Sequence, residues 1–136
     1  MTSPRQCVTR LTNLPKGQGH CNFVAVHSLN NGKCLAQDPL LNTSVTPAEI
    51  NIIKHGFESI NSLFTTGISL AGSRFIFLTK VDNVLYGKKR DLGCIIKKCQ
   101  ESDSVLIVIH SCKEEKSDIL MEMSKIFKSC EETGIC

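Results

Sequence analysis

Ser44-Val45-Thr46-Pro47-Ala48-Glu49-Ile50 writes the start of a helix, and the stretch from there to His110 decides the fold. The Thr46 hydroxyl is placed to accept from the Glu49 N–H while the Glu49 side chain reaches back, and Pro47 takes the first helical position, where its missing N–H costs nothing. Ile50, Ile53 and Phe57 recur at helical spacing and predict a face turned to a sheet. Gly56 and Gly67 mark where helix is expected to give way to strand, and Leu70-Ala71-Gly72 reads as a turn. Apolar strands are predicted over 74–80, over 84–86 after the Asp82-Asn83 turn, over 94–96 and over 105–109. Connections this short leave no room for crossover helices, so the sheet must be mainly antiparallel. The run Val105-Leu106-Ile107-Val108-Ile109 is apolar on both faces, as a central strand covered on both sides would be.

Working outward, 22–27 and 33–36 flank Asn30-Asn31-Gly32 and predict a β-hairpin. Residues 1–20 carry Pro4, Pro15, Gly17 and Gly19, and predict an irregular arm with at most a brief helix. Beyond His110 a second helix is expected: Ser111 and Glu114 can form a capping box, and Lys125 and Lys128 suit the negative end of the dipole. Ile119, Met123, Ile126, Phe127 and Cys130 make its apolar stripe, while Lys116, Ser117, Met121 and Glu122 face outward. The class is α+β, a central antiparallel sheet sandwiched by helices, with one domain over 21–136 behind the arm.

At 136 residues the chain can bury a core without a metal or disulfide staple. Sixteen basic against 13 acidic residues is too even a balance for a protein that lives on nucleic-acid phosphates. No apolar run approaches the ~20 residues needed to span a bilayer, and 1–16 has no signal-like apolar block, so an intracellular protein is expected. The eight cysteines are read as reduced thiols packed as small apolar groups. No metal or cofactor is expected, since no Cys-x-x-Cys or His-x-x-x-His pair occurs. An enzyme would use His110 with Cys112, or Cys21 with His27, as its nucleophile–base pair, and no third orienting group or oxyanion loop is recognisable. The expectation is a binding module and not an enzyme.

Two strands, a helix, several antiparallel strands and a closing helix, with Val45-Thr46-Pro47-Ala48-Glu49, Tyr86-Gly87-Lys88-Lys89 and Gly93-Cys94-Ile95-Ile96-Lys97-Lys98 in that order, resemble the profilin family over about 22–127. The resemblance implies a profilin-like fold and a monomer working in the cytoplasm on the cytoskeleton, where it binds actin monomers and regulates their polymerisation. The positions matching the family's actin face are Lys80, Lys88, Lys89, Lys97, Ser117, Asp118, Met121 and Glu122. Those matching its polyproline site are Leu35, where the family usually carries Trp, and Ile126 and Phe127. With no Trp anywhere, the flat aromatic grip on proline-rich peptides is missing, and weak or absent binding is expected. In this the chain is similar to divergent, tryptophan-lacking members such as the fourth vertebrate profilin, and weak actin binding is expected with it. The alternative is an anionic-lipid or phosphoinositide module using Lys88, Lys89, Arg90, Lys97 and Lys98.

Overall fold

The computed structural model describes residues 21–38, 45–90, 92–99 and 103–111. The arm expected at 1–20 and the helix expected after Ser111 lie outside them. The described chain is a seven-stranded antiparallel sheet with two helices, an α+β fold. Its strands are β1 (Cys21–Ser28), β2 (Cys34–Asp38), β3 (Ile68–Leu70), β4 (Ser73–Val81), β5 (Val84–Lys89), β6 (Leu92–Cys99) and β7 (Ser104–Ser111), in the order β2-β1-β7-β6-β5-β4-β3. The helices α1 (Pro47–Glu58) and α2 (Ile60–Thr66) stand between β2 and β3 in the chain. None of the described helices is long and apolar enough to cross a membrane.

The helix start is built as expected. Thr46 Oγ1 accepts from the Glu49 N–H at 3.2 Å and Glu49 Oε1 accepts from the Thr46 N–H at 2.9 Å. Glu49 does more than close this box: Oε1 also accepts from the Ala71 N–H and Oε2 from the Gly72 N–H, both at 3.0 Å. One nearly buried carboxylate therefore fastens the first turn of α1 to the β3–β4 hairpin. Ala71 and Gly72 both have positive φ, at 53° and 85°. Glycine accepts that region freely and alanine does not, so Ala71→Gly should raise stability by about 0.5–1 kcal/mol in urea denaturation while keeping the backbone bond to Glu49.

Two expectations are corrected here. Gly56 does not mark the end of a helix; it lies inside α1, where a Cβ would fall 2.7 Å from Leu63 Cδ1, so its bareness lets α2 pack against α1. The helical region is two helices, and Gly67, with φ at 73°, ends the second one and leads into β3, a three-residue strand not foreseen. The other strands fall where the apolar runs placed them, extended by one to several residues at their ends, except that β2 starts at Cys34, one residue later than expected.

Ile50, Ile53 and Phe57 of α1 and Leu63 of α2 pack on one face of the sheet, against Phe23, Ala25, Leu85, Cys94, Ile96, Val105 and Ile107 among others. On the other face Val24, Val26, Val84, Ile95, Leu106 and Val108 are also buried. β7, between β1 and β6, is thus apolar on both sides, as its sequence required.

Candidate docking face on strands β4 and β5

Side chains alternate across a strand, and residues paired in register share a face. The register therefore sorts the candidate lysines. Lys88 lies opposite Ile76 and Gly93 on the second face. Lys89 lies opposite Leu92, and Lys98 opposite Val105, on the face that carries α1 and α2. Lys80 pairs with Leu85 on that same helix-bearing face, and its Nζ donates to Phe57 O at 3.0 Å near the end of α1. Lys97, opposite Val84 and Leu106, belongs to the second face but is only 8% exposed. Arg90 is exposed in the β5–β6 turn with φ at 53°.

The run Lys88-Lys89-Arg90 is therefore no single patch, because the pleat sends its two lysines to opposite sides of the sheet. Leu35, exposed on β2, stands four strands away from β5, at ~4.8 Å per strand. Ser117, Asp118, Met121, Glu122, Ile126 and Phe127, and the Cys112 partner of His110, lie outside the described residues.

A different set comes together on the second face. Buried from β1 to β6, that face opens at β4 and β5. Ile76 is 71% exposed beside Lys88; Thr79, also exposed, pairs with half-buried Tyr86, and Val81 pairs with Val84 at the strand ends. Leu78 is exposed as well, at the register shift between Phe77 and Thr79. β3 covers β4 only from Ser73 to Phe75, so the apolar row lies beyond the reach of the sheet's last strand. On the other side of β4, Phe64 of α2 stands largely exposed, edge-on to buried Phe77 with ring centroids 4.8 Å apart.

Exposed apolar side chains scattered singly are ordinary; a row of three on one strand, with a half-buried tyrosine beside it, is a candidate contact surface, and the lysine stands at its margin. Ile76 and Leu78 lie in the apolar strand predicted over 74–80, and Val81 lies just past it. The usable signal was that 75–78 is apolar at both parities in a strand near the end of the sheet, so one parity had to be left uncovered. Tyr86-Gly87-Lys88-Lys89 has a packing reason too. A Cβ on Gly87 would meet Cys94 Sγ at 2.8 Å and Ile76 O at 3.1 Å, so only glycine lets β5 sit this close to its neighbours. Among the described residues no group of three or more His, Cys, Asp or Glu is placed to hold a metal.

The profilin family model matches residues 6–134 of the chain. Among solved structures the chain is similar to profilin IB of Acanthamoeba castellanii, at 25% identity and a TM-score of 0.73, over 96% of this chain and 95% of that one. It is similar to the profilin of Schizosaccharomyces pombe at 21% identity and a TM-score of 0.72, over 97% and 99%. LokiProfilin2, in its complex with rabbit actin, matches at 14% identity and a TM-score of 0.60, over 93% and 91%. No curated protein sequence matches.

Proposed function

The chain belongs to the profilin family, and on that premise we propose that it binds actin monomers through the open end of the second sheet face and so regulates their polymerisation. The observation that carries the reading is Ile76, an isoleucine left 71% exposed in the middle of a strand with Lys88 paired beside it. The actin complex of LokiProfilin2 supports the choice of partner. On this reading the protein is a binding module of the cytoplasm and its cytoskeleton. Affinity comes from the apolar row and Tyr86, and Lys88 contributes mainly to the association rate with an acidic partner. With no Trp in the chain, grip on proline-rich peptides is weak or absent.

Two charge reversals test the face. Lys88→Glu should weaken actin binding about 5-fold at low salt and less at high salt, while Lys89→Glu, on the helix-bearing side, should change it less than about 2-fold. Equal losses from both, or a loss from Lys89→Glu alone, would sink the assignment. The anionic-lipid alternative has less support, because a membrane meets one side of the sheet and the register divides Lys88 and Lys97 from Lys89 and Lys98. Salt-sensitive pelleting with phosphoinositide vesicles, without effect on actin assembly, would put that alternative ahead.

A further inference from the structure

His27 of β1 is wholly buried, in line with Phe23 and Ala25 on the helix-bearing face. Its Nδ1 lies 3.1 Å from Gly32 O. A carbonyl only accepts, so Nδ1 carries the proton and Nε2 is left as a bare lone pair. That Nε2 is buried with no hydrogen-bond partner among the described residues.

Gly32 is where this bond acts. It belongs to the β1–β2 turn, whose backbone is closed by Gly32 N–H to Ser28 O and Ser28 N–H to Lys33 O, each 2.9 Å. The turn is seated on the first turn of α1: a Cβ on Gly32 would fall 2.6 Å from Pro47 Cα. Beside this contact a groove of about 220 Å³, with Leu29 and Ile50 in its wall, separates the turn from the rest of the helix. The turn therefore meets α1 where Gly32 approaches Pro47, with the imidazole bond beneath it and the Leu29 N–H donating to Asp103 O at 2.9 Å behind it.

We propose that the β1–β2 turn is an acid-released latch: a proton on His27 Nε2 puts a charge and a second N–H where nothing accepts them, and the turn lifts from the start of α1.

The charged and titratable groups around His27 decide the direction. From α1, Glu49 attracts an imidazolium, but both its oxygens already serve the N–H groups of Thr46, Ala71 and Gly72. From β2, Cys34 lies opposite His27 with its thiol donating to Gln37 Oε1 at 3.9 Å; from β7, Val105 brings no charge. Lys33 and Asp103, in the adjoining turns, are exposed. Burial outweighs the bond to Gly32 and the pull of Glu49, and holds the imidazole below its ordinary 6.5. Because the freed imidazole takes a proton near 6.5 and the latched one only at lower pH, the latch is intact above that value and weakens as pH falls through the interval beneath it.

Amide exchange followed by NMR at about pH 7.5 and about pH 5.5 tests this. Protection factors at Ser28 and Gly32 should fall severalfold on acidification, up to the limit of about 10-fold that one imidazole titrating near 6.5 when freed allows over this interval, while those at Ile96 and Ile107, in the central strands, keep their values. In His27→Asn, whose side-chain amide can still donate to Gly32 O and does not titrate, the fall should vanish. An equal fall across the sheet, no fall at the turn, or a fall that persists in His27→Asn would overturn the latch. Should that variant not fold, the ring resonances of His27 in the unaltered protein decide: a titration midpoint at or above 6.5 overturns it, and one below supports it.

Discussion

Ile76→Asp should lower affinity for actin monomers by about 30-fold or more, read by titration against fluorescently labelled actin, with no loss of thermal stability. Both halves follow from the same exposure. Ile76 contributes little to the fold because most of it is already in water, so a carboxylate there disturbs no packing. In a docked complex the same site becomes the dry centre of the contact, where a stranded charge costs about 2 kcal/mol or more, equivalent to that fold-change. Ile52→Asp, on the exposed side of α1, is the matched control and should leave binding unaltered. If both variants bind like the parent chain, the row on β4 is not the contact.

Glu49→Ala should lower the free energy of unfolding by about 3 kcal/mol in urea, a loss comparable with truncating a buried core side chain. Three backbone N–H groups, those of Thr46, Ala71 and Gly72, lose one carboxylate acceptor together. Bonds to a charged acceptor contribute about 1.5–3 kcal/mol each, yet three sharing one group are not independent, so the total stays well below their sum. Domains of this size are stable by about 5–15 kcal/mol, so the loss would be visible as a lower midpoint. Glu49→Gln keeps one carbonyl oxygen and should lie between the two. A change below about 1 kcal/mol in Glu49→Ala would mean that the hairpin is held to α1 by packing alone.

Glu49 also shows how far a sequence carries. Its partnership with Thr46 is local, three residues apart, and was legible as a capping box. Its hold on Ala71 and Gly72 spans 22 and 23 residues and has no sequence signature, because it depends on where the sheet brings the hairpin. The same division runs through the fold. Apolar periodicity located the strands and α1, and the double-sided run at 105–109 identified the central strand. It missed the three-residue β3, too short to establish a period, and misread Gly56, whose role depends on Leu63 of the following helix.

The proposed docking face was legible only in part, for the same reason. Family positions pointed to β4 and β5, and Lys88 is there. Grouping Lys88 with Lys89 treated neighbours in sequence as neighbours on a surface, which a pleated strand forbids. Lys80, expected on the actin face from the family positions, is half-buried with its amine donating to Phe57 O, a contact across the chain that the sequence does not signal. Ile76, Leu78 and Val81 look like any buried strand until the order of strands leaves β4 with little beyond it.

The most direct measurement is site-specific photo-cross-linking to actin monomers, with p-benzoylphenylalanine introduced at position 76 in one preparation and at position 52 in another. The expected result is a one-to-one adduct with actin from position 76 and none from position 52, since the first lies on the open sheet face and the second on α1. An adduct from position 52 and none from position 76 would contradict the assignment of this face.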